Sequence, residues 1–383
     1  MRRASGNDSE DAEQGLQRQC SLRHTPGPST RTMTSNPLFS ALARLAVLAI
    51  LTTLSACGKQ SDAIVSIAVH PTNPNILYVS TNERVYKTRD GGRSWEKFSD
   101  FSARRVTTVA VDPQLPATVY AGTMGDAVYK SPDGGQRWLP HNVGLKEHVS
   151  YVNQFVFHPD HSETIYAATT VGVFRTTNGG RSWEEQMTGM KEVHIVVTLA
   201  MSPKNPRVLY AGTTGGAYRS QDGAATWQKV NNGLIPAEVL EASLSLGVNT
   251  LVVDPVNPDT VYAGTTKGLF KTKNQADSWE RIGQSLPDQF ISTLVIHPTQ
   301  NQVLYVGGRA GVQKSLDGGQ TWLPMNNGLE TLNIRTIVMS PLDPQTVYAG
   351  TNGSGLYRST NGAQTWSRVQ LATGPSPSGF TSS

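Results

Sequence analysis

Cysteine is nearly missing from this chain: its 383 residues include two, Cys20 and Cys57. Two thiols cannot build the multi-bridge framework of small secreted domains, so packing must hold the fold together. Long apolar runs are also scarce. The longest, Leu45–Leu51, is too short to cross a bilayer as a stable helix but suits the apolar region of a signal peptide. Charge is sparse and balanced, with charged residues at 16% and a formal net charge of +4. So small an excess leaves no electrostatic footprint for nucleic acid, and none is expected as a partner.

What the chain does have is repetition. Its seven tryptophans, Trp95, Trp138, Trp183, Trp227, Trp279, Trp322 and Trp366, lie 43, 45, 44, 52, 43 and 44 residues apart. Such a period calls for a repeat architecture before any other reading. The second copy shows the unit: the β-rich runs Val106–Val111, Thr118–Thr123 and Ala127–Ser131 are separated by Gly- or Pro-containing breaks, and a fourth run begins at Trp138. Short β-branched and aromatic segments at this spacing predict antiparallel strands, four per repeat. A proline ends the first strand of every copy, from Pro71 to Pro341, and a tyrosine occupies every second strand, from Tyr78 to Tyr348. Seven four-stranded units arranged radially bury each other's faces. The expected fold is an all-β, seven-bladed β-propeller over 64–369; an open solenoid would need polar capping repeats, and neither end shows one. Both terminal units hold complete four-strand sets, which predicts in-phase closure.

Each tryptophan closes the same phrase: Ser or Thr, any residue, Asp or Asn, two positions rich in Gly, two more, then Trp. The carboxylates and amides are Asp90, Asp133, Asn178, Asp222, Asn274, Asp317 and Asn361. At a tight turn a short side-chain carbonyl accepts nearby backbone N–H groups, while Gly supplies positive φ, so these residues read as scaffold. The fifth copy, Asn274-Gln275-Ala276, lacks Gly and is expected to be the least regular hairpin. The cations Lys87, Lys130, Arg175, Arg219, Lys271, Lys314 and Arg358 precede the phrase, and read as edge residues whose stems cover inter-blade surface while their heads reach water, with a radial array for an acidic partner as the alternative.

The phrase, as in Ser131-Pro132-Asp133-Gly134-Gly135-Gln136-Arg137-Trp138, resembles the Asp-box, or BNR, repeat. Families built on it include sialidases, xyloglucan-degrading glycosidases, the sortilin ectodomain and the photosystem II stability and assembly factor family, which the chain resembles most in overall look. That last resemblance implies a non-catalytic, protein-binding scaffold or assembly factor for a membrane complex. The shared fold also leaves open a glycan-binding protein or glycoside hydrolase of the sialidase/xyloglucanase-like class.

The segment before the repeats carries a second resemblance. Leu54-Ser55-Ala56-Cys57 resembles a bacterial lipobox, which implies cleavage and lipidation at Cys57. The expected organisation is a misassigned extension over 1–32, a signal peptide over 33–56, a lipidated tether over 57–63, the propeller, and a flexible tail over 370–383. The mature chain would be a membrane-anchored extracytoplasmic lipoprotein, on the periplasmic side of either membrane or at the cell surface. Removing the six basic and four acidic residues before Cys57 lowers the net charge to about +2. No thiol is then left as a nucleophile or metal ligand.

Alternation of strand direction puts the phrase on one face of the propeller, together with the turns between first and second strands. The other face carries the turns between second and third strands and the blade connections. Residues the repeat does not explain gather there, and loops on a rigid scaffold are where binding resides. The candidate partner-binding residues are Arg104, Arg105, Lys146, His148, Tyr151, Lys191, His194, Lys267 and Arg309, with Phe290 nearby. The expected partners are protein subunits of a membrane complex, with glycan as the alternative. The extra residues near 235–247 show a partial helical period, and suit a plug over that face or a partner-binding loop.

Catalysis is harder to place. Glycosidases need two carboxylates about 5–10 Å apart, and Glu147, Glu192 and Glu238 are unpaired by any motif; Arg281-Ile282-Gly283 lacks the proline of the sialidase Arg-Ile-Pro signature. His158-Pro159-Asp160-His161 has no third ligand at metal spacing, so neither metal nor cofactor is expected.

Overall fold

The computed structural model describes residues 63–81, 84–97, 105–145, 149, 151–190, 195–234 and 246–371. Twenty-eight strands form seven antiparallel sheets, each of four consecutive strands. The blades run 64–97, 106–140, 152–185, 196–229, 248–282, 291–324 and 334–369. First strands pack side by side around a ring, that of blade 1 against those of blades 2 and 7. The protein is a seven-bladed β-propeller closed in phase, with no helix among the described residues.

Burial follows position within the blade. Second strands, such as Leu77–Thr81 and Val347–Thr351, are buried at every residue, because both faces lie under neighbouring blades. First strands bury their first and fourth residues between blades and turn the second and third toward the central channel. Blades approach so closely that a Cβ on Gly350 would lie 2.6 Å from Ile64 Cγ2, at the joint of blades 7 and 1. Fourth strands are two or three residues long and mostly exposed, which limits edge-to-edge pairing.

The repeated phrase works as a hydrogen-bonded knot. Asp90 Oδ1 accepts the backbone N–H groups of Arg93 and Ser94 at 2.9 Å, and Asp90 Oδ2 accepts the Ser94 hydroxyl at 2.5 Å. These donors hold the Asp90 carboxyl well below the usual carboxylate range. Asparagine substitutes by reversing one bond: Asn178 Oδ1 accepts Ser182 N–H at 2.9 Å, while Asn178 Nδ2 donates to the Ser182 hydroxyl at 2.8 Å. The fifth hairpin keeps this geometry despite lacking glycine, contrary to expectation. Gln275 and Ala276 take φ of 56° and 72°, and Ala276 N–H donates to Thr272 Oγ1 at 3.0 Å, as Gly92 N–H does to Thr88 Oγ1 at 2.9 Å. The knot imposes the left-handed backbone on residues that do not favour it.

The cations before the phrase also differ from expectation. Their heads do not simply reach for water; each donates to a carbonyl in the next blade's phrase. Lys87 Nζ donates to Gly134 O at 2.6 Å, Lys130 Nζ to Gly179 O at 2.9 Å and Lys314 Nζ to Gly362 O at 3.1 Å. Arg175, Arg219, Lys271 and Arg358 repeat the bond to Gly223, Gln275, Gly318 and Gly91. Several heads also lie over the second-strand tyrosine of their own blade, as Lys87 does over Tyr78 at 5.1 Å. Lys87 and Arg219 are buried, at 3% and 9% exposure, the other five are half-buried, and together the cations form a clasp running around the ring.

Residues before the strand-ending proline share one task. Asp112 Oδ1 accepts Gln114 and Leu115 N–H, Ser340 Oγ accepts Asp343 N–H, and His297 Nδ1 accepts Thr299 and Gln300 N–H at 3.3 and 3.1 Å. His70 and His158 do the same, so these histidines cap turns.

Candidate partner-binding site at the channel mouth

Blade connections build the face opposite the knots, and four of the Asp-box tryptophans hold down the connection before them. Trp366 N–H donates to Asn327 O at 2.8 Å and its indole N–H to Met325 O at 2.7 Å, so blade 7 staples the chain leaving blade 6. Trp183, Trp227 and Trp279 repeat the pair on the connections before them. Gly328 lets the backbones meet: a Cβ there would lie 2.1 Å from Trp366 O. Just before it, Asn326 Oδ1 accepts Val312 N–H at 2.8 Å and Asn326 Nδ2 donates to Ala310 O at 3.3 Å, fixing the turn between second and third strands. Asn142 and Asn231 do the same in blades 2 and 4. The signal for this device, Asn-x-Gly-Leu at 142–145, 231–234 and 326–329, stands in the sequence as a second repeat that the tryptophan phrase overshadows.

These turns frame a cavity of about 850 Å³ in the central channel, within the size range of ligand pockets. Its wall is the second and third residues of the first strands. Second-position side chains tie neighbouring blades: Thr107 donates to Val152 O at 2.5 Å, Asn153 to Val196 O at 2.7 Å, Asn249 to Ile291 O at 2.9 Å and Ser292 to Ile334 O at 2.7 Å. In blade 7 the same position is Arg335, whose side chain has no hydrogen-bond or ion-pair partner among the described residues. The side chain is exposed to the channel, and partial desolvation by the wall pulls its guanidinium below the usual arginine range.

The candidates named from sequence divide three ways. Arg105 and Tyr151 line the cavity, joined through Met124, whose N–H donates to Arg105 O at 2.8 Å and which bridges to Tyr151. Lys267 and Arg309 sit on turns of the same face, and the Arg309 guanidinium lies 4.5 Å from the centre of the Phe290 ring, itself a lining residue. Arg104, Lys146, His148, Lys191 and His194 lie outside the described residues, as do Cys57, Glu147, Glu192, Glu238 and the segment 235–245. Arg335 escaped the sequence reading, because its counterparts in other blades are Val, Thr, Asn and Ser and no repeat marks it.

The channel is chemically two-ended. Near the knot face a smaller pocket of about 390 Å³ is walled by Phe157, Met201, Val253 and the prolines Pro159, Pro203 and Pro255. In the larger cavity Arg105 and Arg335 are the charged lining residues, and no carboxylate lines it among the described residues. Nor do three of His, Cys, Asp and Glu gather as a metal site requires among those residues; His158 and His161 stack at 4.6 Å without a third partner. No described helix is long and apolar enough to cross a membrane.

Comparison with known proteins agrees with the fold. Residues 196–382 match the family described as DUF6242 beta propeller domain, and residues 126–235 match the sortilin, neurotensin receptor 3 family. A protein of Neosartorya fischeri named probable oligoxyloglucan-reducing end-specific xyloglucanase is 26% identical over 141 residues, 31% of this chain and 17% of that protein. The GH74 xyloglucanase of Xanthomonas campestris superposes with a TM-score of 0.57 at 16% identity, covering 83% of this chain and 61% of the enzyme. YCF48 bound to D1 peptide superposes with a TM-score of 0.58 at 18% identity, covering 79% of this chain and 94% of that one. The chain thus spans less than two thirds of either xyloglucanase. At these identities the likeness shows the fold alone, which this chain has in common with YCF48 and with a xyloglucanase.

Proposed function

We propose that this protein is a lipid-anchored, extracytoplasmic scaffold whose channel-mouth face holds a protein subunit of a membrane complex. The observation that carries the reading is the cavity's chemistry. It offers cations, amides and hydroxyls on a rigid ring, and no carboxylate among its described lining residues. Cleavage of a glycosidic bond needs a carboxylate pair; a polar cavity whose charged residues, among those described, are both arginines suits a ligand that is held rather than cut. The fold likeness to YCF48, solved with a D1 peptide, supports this in kind, since that propeller holds a peptide. The anchor rests on Leu54-Ser55-Ala56-Cys57, with 33–56 as the signal, 57–63 as the tether and 370–383 as a tail.

The test is affinity capture of the native lipoprotein from its own membranes after crosslinking, with mass-spectrometric identification. Reproducible enrichment of subunits from one complex supports the scaffold; recovery of nothing above a tag control removes it. The identity shared with a xyloglucanase over 141 residues favours a second reading, glycan binding or hydrolysis. Release of sugars from xyloglucan oligosaccharides by the purified mature domain would establish that reading instead.

A further inference from the structure

Arg335 stands alone in the wall of the channel. Four of its six counterparts use their side chains to tie one blade to the next, and the other two are Val65 and Val197. Arg335 ties nothing, and no anion answers it among the described residues. Its side chain is exposed to the channel, so the guanidinium is available to an anionic ligand that enters the cavity. The second charge on the wall, Arg105, has the same sign, so the cavity presents two guanidiniums against hydroxyl and amide groups.

We propose that the central channel is a receptor for an acidic peptide segment, entered from the mouth and anchored by a carboxylate on Arg335. The inference rests on the scaffold reading and adds the chemistry of what is held. Guanidinium forks bind carboxylates in a planar, bidentate manner. Outside the cavity Lys267 and Arg309 lie on the same face, where Asp126 and Asp288 also stand, and Tyr151 and Phe290 add aromatic surface at the rim. A lone small anion would use Arg335 and leave the outer cations idle, whereas an extended segment with several Asp or Glu residues engages both. A closed ring with side chains filling its wall leaves no room for a duplex.

The experiment is a fluorescence-anisotropy titration of the mature full chain at low ionic strength with labelled oligo-glutamate. Oligo-glutamine and oligo-lysine serve as controls, and inorganic phosphate as competitor. Oligo-glutamate should bind, the controls should not, and added salt should weaken the complex. Arg335→Gln should weaken binding by about tenfold or more, from the usual worth of a charge-assisted bond. Arg105→Gln should weaken it less, and Arg207→Gln on the knot face should leave it unchanged. Thermal unfolding of Arg335→Gln checks folding, and its midpoint should match that of the parent chain, because an exposed side chain is changed. Undiminished binding by Arg335→Gln, phosphate displacing the peptide at equal concentration, or absence of oligo-glutamate binding each overturns the inference. If crosslinked capture still retrieves subunits in those cases, the scaffold stands and only its proposed ligand chemistry falls. Empty capture removes the scaffold itself.

Discussion

Arg358 Nη1 donates to the Gly91 carbonyl at 3.1 Å, a bond between residues 267 positions apart that fastens blade 7 to blade 1. The six other cations make the same bond between blades adjacent in sequence; this one closes the circle. Replacing Arg358 with Met keeps apolar stem packing and leaves the Gly91 carbonyl without its side-chain donor. The expected loss is about 1–3 kcal/mol, read as a lower urea midpoint with an unchanged slope.

The lysine clasp predicts an alkaline optimum of stability. Burial lowers Lys87 to about 8, whereas burial raises Tyr78 and Tyr210 to about 12. Below pH 8 the fold carries the full penalty of the buried ammonium; between pH 8 and the unfolded lysine value of 10.5 that penalty is released, so stability rises with pH. Above pH 10 the unfolded tyrosines ionise while the folded ones do not, and stability falls toward pH 12. Thermal midpoints at pH 7, 9 and 11 should rise and then fall, with the rise reduced in Lys87→Met. A midpoint of the parent chain that declines steadily from pH 7 would contradict this.

Turn-capping histidines predict sensitivity to acid. Burial lowers His70, His158 and His297, so the unfolded chain takes up protons first as pH falls below the ordinary histidine value of 6.5, and stability falls with it. Protonation also removes the Nδ1 acceptor that caps the turn. His297→Asp, which copies Asp112 and Asp254, should keep the cap and flatten the midpoint between pH 7 and 5. A profile as steep as the parent's would show that His297 takes no part.

The fifth hairpin predicts a stabilising substitution. Gln275 holds φ of 56° without being glycine, a conformation costing roughly 1–2 kcal/mol. Gln275→Gly, which restores the residue found in blades 1 to 4, should raise stability by about 1 kcal/mol, less the entropy glycine adds to the unfolded chain. The Arg219 bond to the backbone carbonyl at this position is retained. A lower urea midpoint would instead mean that the Gln275 side-chain bond to Asp259 outweighs the strain.

Tryptophan, tyrosine and Asp-box positions were legible in the sequence because each recurs as a chemical type at fixed spacing. In-phase closure was legible because Ile64 and Val369 bound complete strand sets. The destination of Lys87 was not: a lysine at the end of a strand points to water or to the next blade depending on how blades stack, which no local pattern records. Asn326 and Gly328 read locally as loop residues, and only the carbonyl of Trp366 explains the glycine. Arg335 was invisible for the opposite reason, since a channel position that changes from blade to blade leaves no repeat to follow. The residues proposed to bind a partner are thus those where the seven copies disagree.

The central claim is that partners dock on the channel-mouth face. A photo-crosslinking side chain placed at Tyr151, and separately at Arg207 on the knot face, would test it in native membranes. Adducts with subunits of one membrane complex from position 151 and none from position 207 are the predicted result. Adducts from position 207 alone would place the docking surface on the opposite face and contradict the account.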